Sequence, residues 1–78
     1  MESVQILIDS EDKVKDFNRR IGKYQCDFDL EVGHDFVDAK SLLGIFTLTL
    51  RKPLTLHIHA EEDMLGEIRE DIGMYCIV

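Results

Sequence analysis

Cys26-Asp27-Phe28-Asp29-Leu30-Glu31-Val32 alternates apolar with acidic residues without a break. A period of two puts every second side chain of an extended strand on one face, so Cys26, Phe28, Leu30 and Val32 turn to a core while Asp27, Asp29 and Glu31 turn to water. Three carboxylates on a buried face would need partners that the alternation does not offer. The strand therefore belongs to a sheet covered on one side only. Gly33-His34 interrupts the run and Asp35-Phe36-Val37-Asp38 resumes a shorter extended segment, which predicts a hairpin.

The same rhythm returns on both sides of this hairpin. Val4, Ile6 and Ile8 alternate with Ser3, Gln5 and Leu7, predicting a first strand over about 2–8. Leu54, Leu56, Ile58 and Ala60 alternate with Thr55, His57 and His59, predicting a last strand, with Pro53 at its edge where no ladder donor is needed. Between the first strand and the hairpin the period changes. Asp9 and Ser10 supply N-cap chemistry, Glu11 and Asp12 follow in the first turn, and Val14, Phe17, Ile21 and Tyr24 recur at helical spacing, predicting a helix over roughly 10–24. Glu61-Glu62-Asp63 opens a final helix striped by Met64, Leu65, Ile68 and Ile72 and stopped at Gly73. Leu42-Leu43-Gly44-Ile45-Phe46-Thr47-Leu48 is apolar on every side, and a short helix capped by Ser41 fits it best. The tail Met74-Tyr75-Cys76-Ile77-Val78 is too apolar to stay free and is expected to pack back on the core or, failing that, against another chain.

The resulting order, β-α-β-β-α-β-α, is an α+β, open-faced β-sandwich: a four-stranded antiparallel sheet with three helices on one face. Seventy-eight residues allow one domain, 1–78, and little room for an enclosed active site, so an enzyme is disfavoured. A net charge of −7 repels nucleic-acid phosphates and anionic lipid, so neither nucleic acid nor a membrane is an expected partner. The start, Met1-Glu2-Ser3-Val4-Gln5, lacks the basic and apolar regions of a secretion signal, which predicts a cytoplasmic protein. Cys26 and Cys76 form no metal or disulfide framework and read as two buried thiols. Lys13, Lys15, Arg19, Arg20 and Lys23 crowd the first helix, and Glu61, Glu62, Asp63, Glu67, Glu70 and Asp71 the last, as if the two lay side by side with complementary flanks.

Val37-Asp38-Ala39-Lys40-Ser41-Leu42-Leu43-Gly44-Ile45-Phe46-Thr47-Leu48 resembles the histidine-containing phosphocarrier (HPr) family of the bacterial sugar phosphotransferase system. There a strand end is followed by a lysine, a serine capping a short helix, two aliphatics, a glycine, and an aliphatic pair before Ser-Leu. Leu54–Glu61 and Asp29–Gly33 are similar to the family's last strand and hairpin. The resemblance implies that Ser41 stands at the family's regulatory position, a target for an ATP-dependent kinase, and that Leu42, Leu43 and Phe46 present an apolar patch to a partner protein. Serine is also simply a good N-cap, and Ile45 and Leu48 of the same segment are assigned to core packing.

The departure lies at the first helix. Phosphate-carrying members have Gly-Ile-His-Ala-Arg-Pro-Ala there, whereas Ile8-Asp9-Ser10-Glu11-Asp12-Lys13-Val14 has no histidine, arginine or proline, and the loop is shorter. Phosphoryl transfer needs a nucleophile and a cationic or helix-terminal cradle; Asp9, Glu11 and Asp12 repel a phosphate dianion. The expected function is a non-catalytic regulatory or protein-binding module without cofactor. A phosphocarrier with an unconventional acceptor and a zinc-binding or self-associating domain are the alternatives. In the family's sheet order His57 and His59, which point the same way, would face Asp27, Asp29 and Glu31, suiting either cross-strand charge pairing or zinc. Pairing is the preferred reading, so no metal site is assigned.

Overall fold

Alternation and helical periodicity generate the elements of the computed structural model, which describes residues 2–42 and 51–77. They run β1 (Glu2–Ile6), α1 (Glu11–Ile21), β2 (Asp27–Val32), β3 (Asp35–Asp38), a 3-10 turn (Ala39–Ser41), β4 (Leu54–His59), α2 (Glu62–Ile72) and a second 3-10 turn (Gly73–Tyr75). The strands form one antiparallel sheet in the order β1-β4-β2-β3. β2 and β3 meet through a two-residue turn in which Gly33 has φ +61°, the position at which a II′ hairpin turn takes glycine.

The register sorts the side chains as the period predicts. Phe28 pairs with Ile58 and Leu30 with Leu56, all four fully buried, and Ile6 pairs with Leu54 at the next strand along. Val14, Phe17 and Ile21 of α1 and Leu65, Ile68 and Ile72 of α2 close over them. No polar or charged residue is buried among the described residues. The fold class is thus α+β with an open four-stranded antiparallel sheet. The described residues contain two α-helices rather than three, and the stretch in which the third was expected, residues 43–50, lies outside them. Neither described helix is long and apolar enough to cross a membrane.

Element ends differ from the expected ones for local reasons. α1 stops at Ile21 because Gly22 caps it, its N–H donating to the Asn18 carbonyl at 3.0 Å; Tyr24 continues the buried stripe without continuing the helix. β1 stops at Ile6, after which the Leu7 N–H donates to the Tyr75 carbonyl at 2.8 Å. The tail packs back: Tyr75 is buried edge-on against Phe17 with ring centroids 6.1 Å apart, and the Ile77 N–H donates to the Gln5 carbonyl at 2.8 Å. This places residues 75–77 along the outer edge of β1. Gly73 ends α2 but the chain continues directly into a 3-10 turn.

The charged flanks of the helices are less complementary than expected. Lys13, Lys15 and Arg19 pair within their own stretch, with Asp9, Glu11 and Asp16 at 2.8, 3.4 and 2.5 Å, because residues three and four apart share a helical face. Lys23 reaches across to Asp71 at 2.9 Å. Cys26 and Cys76 are free and half-buried rather than fully buried, and burial pushes both thiols up in pKa.

Candidate functional site

The corner between β1 and α1 is where the resemblance places phosphate chemistry. Ser10, in extended geometry, caps α1 by accepting the Lys13 N–H at 3.2 Å, and its carbonyl accepts the Val14 N–H at 3.0 Å. Lys13 Nζ donates to Asp9 at 2.8 Å; that hydrogen bond and the ammonium charge hold the Asp9 carboxyl below its ordinary pKa. Glu11 and Asp12 occupy the first turn, where a helix favours anions. The corner therefore supplies its own negative charge and engages its own cation. His57 and His59 belong to β4 and His34 to the β2–β3 turn, so no described imidazole is on the segment that joins β1 to α1.

Ser41 ends the 3-10 turn that follows β3, and it is exposed. The cap of this turn is Asp38, whose carboxylate accepts the Lys40 N–H at 3.0 Å, and not Ser41. The short helix that Ser41 was expected to cap falls on undescribed residues. Ala39 and Leu42 on either side are buried, Leu42 at only 2% exposure. Leu42, expected in the exposed patch, instead joins the core, because the turn carries its side chain inward as it carries Ser41 outward. Leu43 and Phe46, the other two members of that patch, lie outside the described residues.

Two side chains fix the turn: Asn18, which the sequence pattern passes over, and the motif's Lys40, to which it gives no role. Asn18 of α1 donates to the carbonyls of Ala39 at 3.2 Å and Lys40 at 2.7 Å. Lys40 donates to the Tyr24 carbonyl at 2.6 Å and lies 5.8 Å from the Phe28 ring centroid. The sequence carried a faint signal of this: asparagine is a poor residue for a helix interior, and here it borders the buried stripe at Phe17.

The uncovered face of the sheet carries the histidines. His57 stands opposite Asp29, and His59 opposite Asp27, but each imidazole bonds diagonally: His57 Nε2 to Glu31 at 3.1 Å, His59 Nε2 to Asp29 at 2.8 Å. His57 Nδ1 meets Ser3 Oγ at 2.8 Å, and the exposed Phe36 ring lies 5.4 Å from the His57 ring. This is the preferred cross-strand pairing. No three His, Cys, Asp or Glu side chains are grouped so as to hold a metal ion among the described residues.

A polar cluster ties the helices to the tail on the covered side. Asp16 accepts from Tyr75 at 2.5 Å and Arg20 at 2.8 Å, and Tyr24 donates to Asp71. These donors hold the Asp16 and Asp71 carboxyls below the usual carboxylate range. Burial and the facing carboxylates push Tyr24 and Tyr75 up.

Fold and site together define a class: a small α+β domain with a one-sided antiparallel sheet, a self-neutralised helix corner and an exposed serine on a pinned turn. No protein-family model matches the chain, and no curated protein matches it either.

Proposed function

We propose that this chain is a divergent HPr-like protein of the phosphotransferase-system family, acting in the cytoplasm as a non-catalytic regulatory or protein-binding module. Two observations support the relationship. β4 lies between β1 and β2, as the family's sheet order implies for the last strand, and the serine motif follows β3. The observation that carries the loss of phosphate transfer is the Asp9–Asp12 corner. Its carboxylates and capping serine occupy the helix N-terminus that a phosphoryl group would need, and Lys13 already serves Asp9. Ser41 remains as the modifiable group, and the segment after it, with Leu43 and Phe46, as the partner-facing surface.

The test is incubation with phosphoenolpyruvate, the system's first enzyme and isotopic phosphate. No acid-labile phosphoprotein is expected. An acid-labile adduct would replace the reading with that of a working carrier. With labelled ATP and the family's serine kinase, acid-stable label is expected in the parent chain and none in Ser41→Ala.

A further inference from the structure

Ser41 is exposed, with Leu42 after it and Ala39 two residues before it both buried, and the structure gives its own side chain no part in holding the turn, which is tied chiefly to α1. A 3-10 turn leaves its last carbonyls without partners inside the turn. Both N–H bonds of the Asn18 carboxamide go to those carbonyls, of Ala39 and Lys40. The connection also runs the other way: Lys40 Nζ donates to the Tyr24 carbonyl, just past the end of α1. Asp38 holds the Lys40 N–H from the strand side. Two bonds thus run from α1 to the turn and one runs back.

We infer that Asn18 and Lys40 form a two-way latch by which α1 sets the presentation of Ser41, and that this latch opens without unfolding the sheet. The inference rests on the reading of Ser41 as the working residue, and it names Asn18 as its positioning residue. The core needs neither polar group. Ala39 and Leu42 are buried and their side chains take no part in the latch, so opening changes the geometry between them, at residues 40 and 41, and not the packing of β2 on β4. A partner or kinase that recognises the closed turn binds less well once it opens.

The experiment is hydrogen exchange on the full chain, comparing the parent with Asn18→Leu and Lys40→Met. Amides of residues 38–42 should exchange about tenfold faster in each variant, as expected for losing one or two such bonds, while those of Leu56 and Ile58 stay unchanged. Equal acceleration in β4, or none at 38–42, overturns the latch. Should Asn18→Leu fail to fold, Lys40→Met alone decides it. A second arm uses labelled ATP and the serine kinase. A raised KM with unchanged kcat in the variants supports the positioning role, whereas an unchanged KM beside accelerated exchange removes it. A parent chain that takes no label at Ser41 defeats the reading of Ser41 instead, and the exchange result still stands or falls by itself.

Discussion

The two faces of one sheet are built from the same four strands and hold the molecule together to very different degrees. On the covered face Phe28, Leu30, Leu56 and Ile58 lose all contact with water. On the open face the His57–Glu31 and His59–Asp29 pairs keep much of their hydration, with side-chain exposures from 18% to 43%. Burying a large apolar side chain stabilises by about 1.5–3 kcal/mol, whereas a solvated polar pair on a surface contributes roughly 0–1 kcal/mol. The cluster of Asp16, Arg20, Tyr24, Asp71 and Tyr75 at the rim is intermediate, with hydrogen bonds satisfied from two helices and the tail. Stability therefore resides on one face, and the other is free to carry any chemistry that keeps the strands paired.

The sharpest way to break this contrast is to cut into the covered face. Phe17→Ala should cost about 3–5 kcal/mol, a large share of the roughly 4–12 kcal/mol expected for a chain of this length, and urea unfolding at neutral pH measures it. A loss under 1 kcal/mol would end the comparison.

The rim responds to acid. Asp16 and Asp71 have folded-state pKa values depressed from an ordinary 3.8, so folding favours their ionised forms. The stability they contribute is fully present above that ordinary value and is lost as pH falls through the depressed ones. The urea midpoint should hold from pH 7 to about 5 and fall below about 4. In Asp16→Asn the midpoint at neutral pH should be lower than in the parent, by less than in Phe17→Ala, and the acid limb shallower. An acid limb of unchanged steepness would remove Asp16 from the account.

The open face should hardly respond. The double variant His57→Ala, His59→Ala is expected to shift stability by no more than about 1 kcal/mol. Phe36→Ser, at a ring that is 63% exposed, should shift it by about 0.5 kcal/mol or less. Thermal unfolding of both beside Asp16→Asn would sharpen the ranking, and an open-face variant less stable than the rim variant would reverse it.

What could be read from residues alone follows the same division. The alternation at Val4–Ile8, Cys26–Val32 and Leu54–Ala60 assigned the buried face, and every residue of the stripe Val14, Phe17, Ile21 and Tyr24 is in the core, the last of them just past the end of α1. Periodicity is a local property and it reports burial. It does not say which distant polar groups meet, so the bond from Tyr75 to Asp16, fifty-nine residues apart, had no trace in the sequence. Asn18 was missed for the same reason. Leu42 was misplaced because an apolar run on all sides does not tell which residue turns inward. Phe36 shows the converse: as one of two adjacent apolar residues in a four-residue strand, it gave no sign that it, and not Val37, faces solvent.

The placement of β1 has a consequence for how the domain is assembled. Its ladder partners are Leu54–Ile58, and its outer edge is taken by residues 75–77. During synthesis β1 therefore emerges long before either neighbour exists, and α1 has only the apolar residues of β1 and Ile8 to shield until β2 and β4 arrive. Closing such distant pairings first costs chain entropy, which slows folding relative to a helical bundle of equal length. The earliest strand of the domain is the last to be paired on both sides.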